Sequence, residues 1–320
     1  MKTVFLLFFL IAELSAQSTS KSDIVEKARQ ELGRRLFYDA DLSINGTMSC
    51  ATCHEQRHAF TDNNRVHPGA LDDNGKRNVP TLANVGQYKN LTWSHNHLSG
   101  LAEQALTPIR GTDPIEMGMN GHEDEIAKRL SKNECYQKLF VIAFPKEKGA
   151  ISLATATQAL ESFEKTLISN NSLYDQKKKN HEPLPTQDAQ DGEKLFFGKA
   201  KCNSCHRAPL FSDDDFHQIQ PEHQAVYNNM KDNGLFDVTG KIKDKNVFRT
   251  PSLRNAFLTS PYWHDGSANT LADAIRKHNL KINHTLSDRD ISKIIAFIKT
   301  LSDDSFINNP QYSKPSSECK

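Results

Sequence analysis

Apolar residues recur at helical spacing in several stretches of this chain. From Asp23 to Phe37, Ile24, Ala28, Leu32 and Leu36 fall on one side of a predicted helix. Leu98 to Leu106 predicts a short helix stopped by Pro108, and Glu123 to Leu130 and Tyr136 to Phe144 predict two more. Leu153 to Ile168 carries Leu153, Ala156, Leu160, Phe163 and Leu167 on one face, the clearest amphipathic pattern of the first half. In the second half, Asp188 to Phe197 and Leu271 to His278 read as helices. Ser287 and Asp290 form a capping box ahead of Ile291, Ile294, Ile295, Ile298 and Leu301. Between these lie polar stretches rich in Gly, Asn and Pro. Asp62 to Gln87 is the longest of the first half, and a loop of that length usually has a function. Phe211 to Asn246 is also loop-rich. No strand-like alternation persists, so the expected class is all-α.

One short stretch occurs twice. Cys50-Ala51-Thr52-Cys53-His54 and Cys202-Asn203-Ser204-Cys205-His206 both read C-x-x-C-H, the attachment signature of c-type haem. Two thiols three positions apart lie on one side of a helical turn and can form thioethers to one porphyrin. The next histidine then comes under the ring and ligates the iron. A thioredoxin-like redox pair needs no such histidine, and a zinc site needs two further ligands nearby. The flanks recur too. Leu36-Phe37-Tyr38 and Leu195-Phe196-Phe197 precede the two copies, and Phe60-Thr61-Asp62 and Phe211-Ser212-Asp213 follow them. Two tandem cytochrome c-like domains, residues 21–180 and 186–305, are the simplest account. Lys177 to Pro185 reads as the linker and residues 306–320 as a tail.

At 320 residues, 37% of them hydrophobic, the chain has room for two such cores, each completed by porphyrin. A net charge of +1 argues against nucleic-acid partners and against an anionic membrane surface. Residues 1–16 read as a signal peptide: Lys2, an apolar run from Val4 to Ala12 too short to span a bilayer, and a small residue, Ala16, at the cut. A retained anchor is the alternative. Export fits the haem reading and implies a periplasmic protein with no membrane span in the mature chain. Two cysteines remain, Cys135 and Cys319. A disulfide between them is open in an oxidising compartment, with Cys319 in a Ser/Pro-rich tail read as mobile.

Further motifs resemble one family along nearly the whole mature chain. They are Leu32-Gly33-x-x-Leu36-Phe37, Arg77-Asn78-x-Pro80-Thr81, Glu103-Gln104-Ala105, Pro114-Ile115-Glu116-Met117-Gly118, Arg249-Thr250-Pro251-Ser252-Leu253-Arg254-Asn255 and Thr259-x-Pro261-Tyr262-Trp263-His264-Asp265-Gly266. With the two haem stretches in this order, the chain resembles the bacterial dihaem cytochrome c peroxidases and their MauG-type relatives. The resemblance implies two covalent haems, the N-terminal one peroxidatic with His54 as proximal ligand. Gln104 and Glu116 match the distal-pocket residues, and their chemistry suits peroxide: a carboxylate can carry a proton between its oxygens, and an amide can orient it. Trp93 matches a tryptophan between the haems. Asn78, Thr259 and Pro261 match calcium ligands. The implied partners are hydrogen peroxide, a small donor such as cytochrome c, and a second copy in a homodimer.

The sequence departs from that pattern in four places. Trp93 is followed by Ser94-His95-Asn96-His97 in place of the family's Asp-Gly-Arg, and two residues are inserted between Gln104 and Glu116. The loop position that bears a capping histidine in many relatives is Ala70, with His67 nearby, so the first haem is expected to be open to peroxide. The far ligand of the second haem falls on His278, with His284 as alternative, where relatives have Met or Tyr. A bis-histidine haem of lowered potential is expected. The leading expectation is a cytochrome c peroxidase. A MauG-type oxidase acting on a protein side chain and a non-catalytic electron carrier are the alternatives.

Overall fold

The computed structural model describes residues 20–218, 226–227, 230–282 and 286–317. The proposed signal peptide, His284 and Cys319 lie outside the described residues.

The chain is largely helical. The first half contains α1 (Lys21–Phe37), α2 (Cys50–Cys53), α3 (Leu101–Gln104), α4 (Leu106–Arg110), α5 (Glu123–Leu130), α6 (Glu134–Ala143) and α7 (Leu153–Glu164). Then come α8 (Leu173–Lys179), α9 (Gln187–Phe197), α10 (Phe236–Thr239), α11 (Leu271–Ile282), α12 (Asp288–Lys299) and α13 (Asp304–Ile307). Serines start several of them. Ser20, Ser152, Ser172 and Ser287 each close a capping box with the residue three positions on, which satisfies backbone donors at the first turn. Four two-residue strands, β1 (Phe216–His217), β2 (Val226–Tyr227), β3 (Met230–Lys231) and β4 (Phe248–Arg249), pair antiparallel as β1–β4 and β2–β3.

Two hydrophobic cores form, and the same device builds each. In the first, α1 crosses α7 at Gly33, where an added Cβ would lie 1.9 Å from the Ala159 carbonyl oxygen. In the second, α9 crosses α12 at Gly192, where it would lie 1.9 Å from the Lys293 carbonyl oxygen. Only glycine admits so close a backbone. Beyond each glycine stands a buried phenylalanine against the partner helix, Phe37 on Phe163 at 5.3 Å and Phe196 on Phe297 at 5.0 Å. The repeated unit is therefore G-x-x-L-F, three residues longer at its start than the Leu-Phe repeat noted in the sequence.

Three expectations need correction. Pro108 does not stop a helix: the break falls at Ala105, and α4 runs through Pro108 in its first turn, where a missing N–H costs nothing. The lysines assigned to a linker form the last turn of α8, where their charge suits the helix C-terminus. Helix α8 is docked by Tyr174, whose ring meets Phe211 at 5.3 Å and Phe297 at 5.7 Å, and by Asp175, which accepts two hydrogen bonds from Arg254. The segment after residue 303 is no loose tail. It returns to the first core, where Phe306 is buried and Tyr312 nearly so. Cys135 is disulfide-bonded.

The halves meet along a polar seam. Arg77 donates two hydrogen bonds to Asp232 at 2.7 and 2.8 Å, and Lys89 and Asn90 donate backbone N–H groups to Asp214. Among the described residues, no helix is long and apolar enough to cross a membrane.

Candidate active site

Each C-x-x-C-H stretch folds as a tight turn that brings its histidine back on itself. The His54 N–H donates to the Cys50 carbonyl at 2.9 Å, and the His206 N–H to the Cys202 carbonyl at 2.9 Å. Burial pushes the thiols up: Cys53 to about 12, Cys202 to about 11, and Cys50 and Cys205 in the same direction. Thiols raised in this way are a poor basis for a redox pair, which needs a lowered thiol pKa. Cys205, Asp213 and His217 do gather ligand atoms within 4.8 Å. Yet Asp213 already pairs with His217 at 2.8 Å, and the Cys205 thiol is held protonated.

The histidines share one hydrogen-bond pattern. Nδ1 of His54 lies 2.8 Å from the Phe60 carbonyl oxygen, and Nδ1 of His206 lies 3.1 Å from that of Phe211. His278, on α11, directs Nδ1 to the Ala274 carbonyl at 2.8 Å. A carbonyl has no proton to give, so in each ring Nδ1 donates and Nε2 is the unprotonated nitrogen. Burial holds all three below the ordinary histidine range, His206 at about 4, where His278 adds to the effect. Neutral imidazole with Nδ1–H fixed by a carbonyl is the form that ligates a metal through Nε2.

The second site brings two such rings close together. His206 and His278 have ring centres 6.3 Å apart. Two imidazoles on opposite sides of one metal ion, each about 2 Å from it, have centres roughly 6 Å apart. They line a cavity of about 430 Å³, shared with Cys202, Cys205 and Trp93. Around it are buried polar atoms without a hydrogen-bond partner in the protein: Asn246 Oδ1, Arg249 Nη1, Trp263 Nε1 and His264 Nε2. Apolar walls, two neighbouring imidazoles and the unspent donors of Arg249 and Trp263 fit a haem with its carboxylate side chains. Arg249, Trp263 and His264 stood in family motifs without an assigned role; nothing in one sequence says which motif residues end as donors around a cavity.

At the first site His54 has no imidazole opposite it among the described contacts. Phe37 lies beside it at 6.4 Å. Glu116 is half-buried there, and this burial raises its carboxyl, with His67 offsetting part of the rise. Its charge acts on Cys53, and that of His67 on His54, which places both near this site. The Glu116 segment is pinned to α4 by Met117 N–H to the Pro108 carbonyl and Met119 N–H to the Ile109 carbonyl, both 2.9 Å. Gln104 ends α3, directly before that helix. On its other side the segment carries the loop after residue 67. Ala70 N–H donates to the Glu116 carbonyl at 2.6 Å, and Asp73 accepts the Ile115 N–H at 2.6 Å.

Trp93 is buried in the seam, where its indole N–H donates to the Asn78 carbonyl at 2.8 Å and its own carbonyl accepts the Arg249 N–H at 2.8 Å. Asn78, Thr259 and Pro261 border the same cavity as Trp93. They offer neutral oxygens, right in type for calcium but short of its roughly six to eight ligands, so water would complete the shell.

A family model described as di-haem cytochrome c peroxidase matches residues 27–182. A cytochrome c551 peroxidase of Nitrosomonas europaea is 33% identical over 276 residues, 86% of this chain and 80% of that protein. A methylamine utilization protein MauG of Methylophilus methylotrophus is 33% identical over 290 residues, covering 87% and 82%. The crystal structure of a MauG-like protein associated with microbial copper homeostasis superposes with a TM-score of 0.84 at 35% identity, covering 90% of this chain and 93% of that one.

Proposed function

The chain belongs to the di-haem cytochrome c peroxidase family, which includes the MauG proteins, and from that premise we propose a periplasmic enzyme that reduces hydrogen peroxide to water with electrons from a small donor such as cytochrome c. Two cytochrome c-like halves would each hold one haem: Cys50, Cys53 and His54 the first, and Cys202, Cys205, His206 and His278 the second. Haem supplies redox chemistry at both, with peroxide taken at the first. The observation that carries this reading is the contrast between the halves. Two neutral imidazoles stand close together in the second, which suits electron transfer, while a half-buried carboxyl stands near His54 in the first.

The chain's own residues have distinct tasks. His54 and His206 present Nε2, because the Phe60 and Phe211 carbonyls hold the proton on Nδ1. Glu116 takes a proton on a carboxyl oxygen and returns it to the departing oxygen of peroxide. Burial raises its pKa, the direction that helps a carboxyl hold a proton and pass it on. Gln104 orients peroxide through its amide. Trp93 offers an aromatic path in the seam between the halves. Ala70 carries no ligand side chain, and its backbone is tied to Glu116. A haem held by His54 would thus meet no ligand side chain at position 70. Calcium at Asn78, Thr259 and Pro261 would stiffen the seam.

A second reading is favoured by one finding, the likeness to a solved MauG-like protein. In it the oxidising equivalents pass to a side chain of another protein.

The test is one equivalent of peroxide added to the ferric, fully haem-loaded protein, followed by reduced cytochrome c. A high-spin signal that vanishes on peroxide and returns as cytochrome c is oxidised supports the peroxidase. Return without cytochrome oxidation, but with an oxidised side chain on a co-purified protein, supports the MauG-type reading. Two low-spin haems inert to peroxide, before and after partial reduction, overturn both and leave an electron carrier.

A further inference from the structure

The turn from His54 to Thr61 is held in an uncommon shape. Ala59 and Phe60 both have positive φ, 52° and 62°. For a residue as bulky as phenylalanine this conformation persists only where its surroundings enforce it. It aims the Phe60 carbonyl at His54 Nδ1. What enforces it is partly local: Glu55 N–H reaches the Thr61 carbonyl at 2.9 Å, and the Phe60 ring meets Phe37 at 5.8 Å.

Thr81 adds a hydrogen bond from Oγ1 to the Ala59 carbonyl at 2.6 Å, and further support comes from the far end of the described chain. Phe306 packs on Phe60 at 5.6 Å, and Tyr312 backs Phe306 at 5.5 Å. Gln56, inside the turn, is gripped at both ends of its amide. Its Nε2 donates to the Asn309 carbonyl at 2.8 Å, and its Oε1 accepts from the Ser313 hydroxyl at 3.0 Å. The segment is itself tied down, by Tyr312 Oη to the Thr166 carbonyl at 2.8 Å and Tyr38 Oη to the Tyr312 carbonyl at 2.7 Å. The second half differs. Phe211 has φ 53° and the same role, but Phe196, Phe297 and Tyr174 hold it. None of these comes from beyond residue 303.

We propose that residues 304–313 are a positioning strap for His54: Phe306 and Ser313 fix the 54–61 turn, and through Phe60 they set how firmly the imidazole gives up its Nδ1–H. This rests on the reading of His54 as an iron ligand. A carbonyl that holds Nδ1–H firmly makes Nε2 a stronger donor to the metal. A loosened strap weakens that donation at the first haem alone.

The test uses the full-length, haem-loaded protein. The iron–histidine stretch is read by resonance Raman and both midpoint potentials by spectroelectrochemical titration, for wild type, Phe306→Ala, Ser313→Ala and the core control Phe140→Ala. The strap variants are expected to lower the stretching frequency of the first haem and raise its midpoint, with the second haem unchanged and the control like wild type. An unchanged first haem in Ser313→Ala and Phe306→Ala overturns the proposal, as does an equal shift in Phe140→Ala. Should Phe306→Ala fail to load haem, Ser313→Ala decides, because it removes one hydroxyl and little packing. His54→Gly separates the two claims: a first-haem iron–histidine stretch that survives it refutes the ligand reading and the strap with it, whereas its loss beside unchanged strap variants overturns the strap alone.

Discussion

Glu116 sits where a negative charge is poorly tolerated, since burial raises its carboxyl and His67 compensates only in part. Glu116→Gln keeps the shape and removes the exchangeable proton. Peroxide turnover should then fall by about 10² to 10⁴, with haem content and the second haem's spectrum unchanged; steady-state kinetics against pyridine haemochrome content checks this. Glu164 is a second buried carboxyl, with Oε2 unpartnered and its pKa pushed up to about 8 by burial and then by Glu161. Because the folded value lies above the unfolded one, the folded state keeps a proton that the unfolded state loses. Stability should therefore fall as pH rises from about 4.5 to about 8. Glu164→Gln should flatten that slope, a difference on the order of a few kcal/mol by denaturant titration at the two ends. At the second site, His278→Met should raise the haem midpoint; an unchanged potential and spectrum would show that His278 is no ligand. The attachment residues were legible because C-x-x-C-H is a complete local instruction. Glu164 was not, because a carboxyl's burial depends on which helix faces it.

Helices were read from spacing to within a few residues wherever an apolar face was long, as in α1, α7 and α12. The misreadings were local signals overridden by position. Pro108 falls in a first turn, and the lysines before Asn180 complete a helix that Tyr174 anchors. The role of Gly33 and Gly192 was hidden for a related reason, since what a glycine permits is decided by the backbone opposite. Alanine at either crossing would drive a methyl group into a carbonyl oxygen. Each substitution should cost about 1–3 kcal/mol or more, measured as a drop in denaturation midpoint. Gly33→Ala should also disturb the first haem's spectrum and Gly192→Ala the second's.

Across the whole molecule, the seam between the halves was the least legible part, because its partners lie far apart in sequence. Burial alone would raise the Asp232 carboxyl, yet the hydrogen bonds and charge of Arg77 and the Gly234 N–H hold it below the ordinary range. This pairing adds stability at neutral pH that is lost as pH falls below about 3.8 and through the folded value. Arg77→Ala would leave a buried charge uncompensated. It should cost about 3–5 kcal/mol, and limited proteolysis in the seam should accelerate. The return of residues 304–313 was equally hidden: Phe306 and Tyr312 show no period, and their partners are far back in the chain.

That return also orders events in time. Ribosomes deliver a chain from its N-terminus, and the early part of a protein commonly folds while the rest is still arriving. Here the early half receives Phe306 against Phe60 only after the later half has been delivered. Its turn at His54 is thus among the last features to be finished, although its cysteines emerge first. Chains truncated between the halves, once exported and loaded with haem, should carry a first haem whose surroundings are still unsettled.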